Sequence, residues 1–151
     1  MRNYRGCAMP TNTRLAVALH ILSGLAYRAT SGKSGATSAE LAKSVNTNPV
    51  VVRRILGELA KAGLVTRTGG RGGGYELARD PARIRLDAVL VAIEPEGLFS
   101  VHENPANRAC TVSCGIKPAL GQLFERADHA LRDHLRGTTL ADFLRRVESA
   151  G

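Results

Sequence analysis

The sequence has no tryptophan and few other aromatic residues, with three tyrosines and three phenylalanines in 151 positions. Sandwiches and barrels fill their pleated faces with aromatic and β-branched side chains, so this scarcity, beside abundant Ala, Leu and Arg, argues for a helical chain. Long apolar runs are missing as well. The longest, Leu15 to Ala26, is interrupted by His20 and Ser23 and falls short of the roughly 20 residues that a membrane span needs. No membrane partner is expected. Met1 to Pro10 contains arginines with no apolar core behind them, so no secretory signal is expected either. Met9 is a candidate natural start, which would leave Cys7 in a tail of little consequence. Cysteine is rare, at Cys7, Cys110 and Cys114. In a chain without an export signal this argues against a disulfide framework and for the reducing cytoplasm.

Acidic residues are short on one side only. Residues 1–83 hold 13 Lys and Arg against 4 Asp and Glu, a net of +9, whereas residues 84–151 hold 8 against 9, a net of −1. Arginine that served solubility alone would be spread evenly. Its confinement implies that the first half meets a polyanion and the second does something else. The length allows a small domain with a helical piece appended. We divide it into a flexible tail at 1–10, a domain at 11–83, and a segment at 84–151 that combines sensing with dimerisation.

The order of elements in the first half is informative. Thr13 to Arg28 carries Leu15, Val17, Leu19, Ile21, Leu22 and Leu25 on most faces and predicts a helix buried by neighbours. SGKSGATS follows as a loop. Thr37 with Glu40 three places later is a capping-box pattern, opening a short helix with Leu41, Ala42 and Val45 inward. Asn48 then caps a third helix with Pro49 in its first position, where no N–H is needed. Val52, Ile55, Leu56 and Leu59 give that helix an inner stripe at i, i+3, i+4 and i+7, and Gly63 ends it near Ala62. Its other face carries Val50, Arg53, Arg54 and Gly57. Leu64 to Arg67 and Tyr75 to Ala78 are short β-prone pieces, and between them lies GGRGGGY.

That glycine loop admits two readings. In a dinucleotide fingerprint or a phosphate-cradling loop, a strand precedes the glycines and a helix follows, because the phosphate sits on the helix N-terminus. Here a helix comes before and a strand after, and neither spacing fits. Helix, helix, turn, helix and hairpin is instead the order of a winged helix-turn-helix, whose third helix enters the major groove while the hairpin tip reaches backbone or minor groove. The fold class expected is mainly α with a small β-hairpin wing, a winged helix-turn-helix domain followed by a long C-terminal dimerisation helix.

With those residues in view, the sequence resembles the IscR/NsrR/CymR-type family of bacterial winged-helix transcription regulators. The resemblance runs from about Thr11 onward, through TNTRLAVALHIL, TSAELAKSVNTNPVVVRRILGELAKAGLV, RTGGRGGGYELARD and IRLDAVLVAIE, to a cysteine-bearing segment before a long helix. Its most specific part is the wing ending GGGYELAR after KAGLV. It implies a cytoplasmic homodimer bound to double-stranded DNA at a near-palindromic operator, acting as a repressor. Thr47, Asn48, Val50, Arg53 and Arg54 are then the candidates for base edges and phosphates in the major groove, since Asn and Arg carry the donor and acceptor pairs that discriminate A and G. Arg67, Thr68, Arg71 and Gly72 would lay the wing on the backbone or in the minor groove. Thr37 and Ser38, at a helix N-terminus, are candidates for donating to a phosphate. All of this requires that the exposed arginines are not paired with carboxylates of their own fold.

Gly115 to Arg136 places Leu120, Leu123, Phe124, Ala127, Leu131 and Leu135 on one stripe, too large for a lone helix to leave in water, and we expect it to form the dimer seam. The alternative is that it packs on its own chain. Gly137 ends this helix, and Thr139 to Val147 adds another through Leu140, Phe143, Leu144 and Val147.

Members of the family with iron-sulfur clusters use three closely spaced cysteines and one further residue. This chain departs from that pattern. The matching segment NRACTVSCGIKP holds only Cys110 and Cys114, with His102 and Glu103 loosely placed and Cys7 far away. No cofactor is expected. A thiol switch is the reading we favour, because both cysteines stand near a helix N-terminus with Arg108 and Lys117 close by. No nucleophile and base stand at a recognisable spacing, so an enzyme is not expected. A small ligand as signal, a cluster after all, or a module that kept the fold but lost DNA remain as rivals.

Overall fold

In a computed structural model, residues 13–151 are described. They form two compact units, one ending at Ala78 and one beginning at Arg79.

In the first unit, α1 (Arg14–Thr30), α2 (Ser38–Val45) and α3 (Pro49–Lys61) precede strands β1 (Val65–Arg67) and β2 (Tyr75–Leu77). Local chemistry sets the helix boundaries. Thr37 caps α2 and Glu40 returns the bond to the Thr37 N–H at 2.8 Å, which completes the capping box. The Asn48 Oδ1 accepts from the Val50 N–H at 2.8 Å, with Pro49 in the first turn of α3. Gly63 takes φ 68 just past the end of α3, the left-handed conformation that stops a helix. Packing supplies the rest. Ile21, Leu22 and Leu25 of α1, Leu41 and Ala42 of α2, and Val52, Ile55, Leu56 and Leu59 of α3 are buried together with Leu64 and Val65, each large one contributing about 1.5–3 kcal/mol. Leu15, Val17 and Leu19, expected inside, are only partly covered.

The hairpin pairs Val65 with Leu77, Thr66 with Glu76 and Arg67 with Tyr75. The expected loop before α2 does more than connect. Ala36 forms an antiparallel bridge with Tyr75, its N–H donating to the Tyr75 carbonyl at 2.9 Å and its carbonyl accepting the Tyr75 N–H at 2.8 Å. The wing is therefore fastened to the start of α2.

The second unit contains a 3-10 turn at Pro81–Arg83, then α4 (Leu86–Ile93), α5 (Thr111–Arg136) and α6 (Leu140–Ala150). Ile84, Leu86, Val89, Leu90, Ile93 and Leu140 form its core. The chain on either side of Arg85 is held against the turn between α5 and α6, the Leu86 N–H donating to the Thr138 carbonyl at 2.9 Å and the Leu140 N–H to the Ile84 carbonyl at 2.7 Å. The buried Asp87 accepts from Arg85 at 3.0 Å and lies 3.6 Å from Arg136. Thr139 and Asp142 form a second capping box at the start of α6.

The long helix begins at Thr111 rather than Gly115. Asn107 explains the earlier start: its N–H donates to Ser113 Oγ at 2.8 Å and its carbonyl accepts from the Cys110 N–H at 3.0 Å, so the first turn forms before Gly115 is reached. Pro118 consequently lies inside the helix.

Candidate nucleic-acid interface

The exposed face of α3 presents Val50, which is 63% exposed, with Arg53 and Arg54 exposed beside it. The Arg53 Nε–H reaches the Pro49 carbonyl at 3.5 Å along its own helix. Asn48 uses its oxygen for the cap, which leaves the side-chain NH2 as its outward donor. Thr47 stands beside it at the mouth of the helix, half-buried. The helix has one acid, Glu58, and Arg14 of α1 neutralises it at 2.6 Å.

The wing's five glycines serve different needs. Gly70 and Gly72 take φ 105 and 79, values that L side chains seldom adopt. Gly74 is held by contact, since a Cβ there would lie 2.5 Å from the Ala36 carbonyl oxygen. The sequence suggests only that glycines let the backbone approach a ligand; Gly74 is required by the wing's own attachment. Arg71 is exposed at the tip. The Arg67 guanidinium lies over the Tyr75 ring, 5.4 Å from its centroid, and donates to the Tyr75 hydroxyl at 3.1 Å.

Two hydroxyls expected to face DNA are engaged within the fold. Thr37 donates its hydroxyl proton to Glu40 Oε2 at 3.0 Å and accepts the Glu40 N–H at 3.2 Å, so the cap occupies the donor assigned to a phosphate. The same Thr37 N–H and hydroxyl, aided by Arg28, hold the Glu40 carboxyl below its usual pKa. Thr68 accepts from the Gly74 N–H at 2.7 Å and keeps its proton to donate. Ser38, next to Thr37, is half-buried. A polar hollow of about 390 Å³ separates the wing from the start of α2, with Arg71, Thr68 and Thr37 on its walls.

Among the described residues, the arginines fall into two sets. Arg14, Arg28, Arg85, Arg136 and Arg145 pair with carboxylates. Arg53, Arg54, Arg67 and Arg71 do not, and neither do Arg79, Arg83, Arg108, Arg126, Arg132 and Arg146. The structure thus brings four unneutralised guanidinium groups to α3 and the wing, within one unit.

In the second unit no residue of α5 is buried. Leu120, Phe124, Ala127, Leu131 and Leu135 of the expected stripe are half-covered, and α4 packs against this helix. Phe124 stacks on Phe99 of the same chain, ring centroids 5.5 Å apart. Leu123 is 58% exposed and lies instead on a neighbouring face with Val112, which is 70% exposed. Ile116, Ala119 and Ala130 continue that face at helical spacing. The sequence reading missed them because two of them are small alanines.

Cys110 occupies the N-cap of α5 and is half-buried; Cys114, one turn on, is exposed and donates its thiol hydrogen to the Asn107 carbonyl at 3.6 Å. Cys7 lies outside the described residues. Among those described, no group of three or more His, Cys, Asp or Glu side chains is arranged to hold a metal ion; Cys110 and Cys114 are two of the four ligands that an iron-sulfur cluster requires. No described helix is long and apolar enough to cross a membrane.

Residues 11–146 match a protein family described as Rrf2, iron-dependent transcriptional regulator. A candidate HTH-type transcriptional regulator of Bacillus subtilis strain 168, YwnA, is 44% identical over 135 residues, covering 88% of this chain and 96% of that one. A crystal structure of a candidate DNA-binding protein is 37% identical and superposes with a TM-score of 0.64 over 87% of this chain and 98% of the other. The oxidized form of CymR from Staphylococcus aureus is 25% identical, with a TM-score of 0.63 over 90% of this chain and 96% of that one.

Proposed function

The chain belongs to the Rrf2 family of transcriptional regulators, and from this premise we propose that it is a homodimeric repressor that reads a near-palindromic operator with α3 and the wing. One observation carries the reading: Arg53 and Arg54 on α3 and Arg67 and Arg71 on the wing have no carboxylate of the described fold to neutralise them. A duplex answers this arrangement with phosphates along its backbone and guanine acceptors in its major groove. Val50 supplies an apolar contact for a thymine methyl, and the free NH2 of Asn48 a donor. Ser38 and Thr68 retain hydroxyl protons for phosphates, while Thr37 acts through the cap.

Dimerisation is supported by the open face of Val112, Ile116, Ala119, Leu123 and Ala130, with Ala127 at its border. A symmetric operator requires two such domains about one DNA turn apart. Leu120, Phe124, Leu131 and Leu135 then stiffen the seam from within their own chain.

For the signal we place a thiol switch at Cys110 and Cys114. Peroxide oxidises two thiols to one disulfide with release of two waters, and the exposed Cys114 is the thiol that meets it first. Fluorescence anisotropy with a labelled duplex carrying the protein's own promoter tests the whole reading. Saturable binding that survives excess unrelated DNA, and that the double substitution of Arg53 and Arg54 by Ala removes, is expected; no retention of promoter DNA would defeat it. Thiol counting before and after peroxide checks the switch, with loss of two thiols per chain at Cys110 and Cys114 as the expected outcome.

A further inference from the structure

A cavity of about 280 Å³ opens in the second unit where the segment after α4 folds over the middle of α5. The segment is fastened there. The Leu98 N–H donates to Asp128 Oδ1 at 3.1 Å, and Phe99 stacks on Phe124. Gly97, with φ 94, fits so closely that a Cβ would collide with the Asp128 carboxylate.

The lining has a definite chemistry. Phe99 and Phe124 present an apolar aromatic wall. Arg132 also lines the cavity, and its Nε is buried with no hydrogen-bond partner; a buried donor left unpaired costs free energy until a partner arrives. Arg132 forms no ion pair among the described residues. Also on the wall are Glu96, Glu125 and Asp128, so three acids stand against one arginine, a formal balance of −2 among these four groups.

Each simple ligand class fails against this set. An anion would meet three carboxylates, a plain cation would meet Arg132, and an apolar molecule would leave the Arg132 Nε–H unanswered. A zwitterion satisfies both signs. We propose that the cavity binds a free α-amino acid with an apolar side chain, its carboxylate on Arg132, its ammonium between Glu96 and Glu125, and its side chain against the Phe99–Phe124 pair. At about 280 Å³ the cavity lies just below the range of about 300–1,000 Å³ that holds drug-sized ligands, which points to a smaller molecule. The inference concerns ligand binding alone, beyond the DNA-binding reading, and does not depend on it.

Gly121 provides the decisive variant. It lines the cavity, a Cβ at its position meets nothing within 4 Å, and leucine is a better helix former than glycine. Gly121→Leu therefore folds and fills the space. The test is thermal unfolding of the full chain with each of the twenty L-amino acids at about 5 mM, alongside the matching amino-acid amides. We expect one or more apolar amino acids to raise Tm by about 3 °C or more, their amides to have no effect, Gly121→Leu to abolish the response, and Arg132→Gln to weaken apparent affinity at least tenfold. No response to any amino acid overturns the proposal. So does a response that survives Gly121→Leu, or one that the amides reproduce. A cavity filled by a second copy is a further overturning outcome, seen as no amino-acid response together with a changed oligomeric mass in Gly121→Leu. Because the readout is the protein's own Tm, DNA binding retained alongside a failed titration leaves the regulator reading standing.

Discussion

Replacing Gly74 by alanine tests how the wing is held. Gly74 precedes the bridge between Ala36 and Tyr75, and a Cβ there would lie 2.5 Å from the Ala36 oxygen, 2.6 Å from its carbonyl carbon and 3.1 Å from its nitrogen. All three are backbone atoms, so no side chain can swing aside. Relief requires the two segments to part, and both bridge hydrogen bonds, at 2.9 and 2.8 Å, are then lost. At about 1 kcal/mol net for each, the cost is about 2 kcal/mol. The bond from the Gly74 N–H to Thr68 adds about 1 kcal/mol if the turn follows. Gly69→Ala is the matched control, because nothing lies within 4 Å of a Cβ there and its φ is not positive; its effect should lie within about 0.5 kcal/mol. At about 2–4 °C per kcal/mol for a chain of this size, Gly74→Ala lowers Tm by about 4–12 °C. Circular dichroism melts of both variants supply the measurement, and anisotropy on promoter DNA should show weaker binding for Gly74→Ala alone. If Gly74→Ala melts within about 1 °C of Gly69→Ala, the bridge does not anchor the wing and the argument fails.

Three further outcomes follow from the same geometry. Arg71→Ala should weaken DNA binding and reduce the slope of log affinity against log salt by about one, whereas an unchanged slope removes Arg71 from the phosphate contacts. Leu123→Glu, which places a charge on the open face of α5, should convert a dimer to a monomer in light scattering while the chain stays folded; a dimer that persists moves the seam elsewhere. The carboxyls of Glu40 and Asp142 are held below their usual range, chiefly by the N–H and hydroxyl of Thr37 and Thr139, with Arg28 and Arg145 assisting. Their folded pKa values therefore lie below the unfolded ones, and the stabilisation is present above about pH 4 and is lost as pH falls through the folded values. The double variant Thr37→Ala, Thr139→Ala should show a flatter dependence of Tm on pH below about 4 than the parent, and parallel curves would discount the caps. At neutral pH, Thr37→Ala alone should cost about 1 kcal/mol.

What could be read from the sequence was what short-range chemistry decides. Thr37 with Glu40, Asn48 with Pro49, and Gly63 are codes within four residues, and they place the boundaries of α2 and α3. Periodicity found the buried face of α3 and, by subtraction, its exposed arginines. Long-range pairing was invisible. Nothing in SGKSGATS announces that Ala36 will pair with Tyr75, because the partner lies in another element and the signal is only the lack of a side chain at Gly74. The start of α5 was misplaced for a similar reason: Gly115 and Pro118 look like a beginning, yet the backbone of Asn107 fastens Cys110 and Ser113 from outside the helical pattern. The stripe on α5 was ambiguous in principle. The two apolar faces of this helix differ by a rotation of about a quarter turn, and only the packing of α4 decides which is covered. The cavity had no sequence signature, since it exists because residues 97–99 fold back onto residues 124 and 128.

The distribution of ion pairs connects scaffold to function. Arg14 with Glu58 braces α1 against α3, Arg28 with Glu40 secures the start of α2, and Arg85 and Arg136 converge on Asp87 in the second unit. Exposed pairs contribute little each, about 0–1 kcal/mol, so their place in the fold matters more than their energy. On α3 and the wing the arginines are left without carboxylate partners. An acid beside Arg53, Arg54 or Arg71 would have to be displaced or desolvated whenever a phosphate approached, and the resulting repulsion would work against association. Leaving these arginines hydrated costs the free protein almost nothing, whereas each one that meets a phosphate releases condensed counterions. Adding an acid to this surface is therefore more damaging than removing an arginine, because it reverses the local sign as well as losing a contact. Val50→Glu, on the exposed centre of the α3 face, should abolish DNA binding more completely than Val50→Ala while leaving Tm nearly unchanged. Equal binding by the two variants would mean that this face of α3 does not meet the duplex.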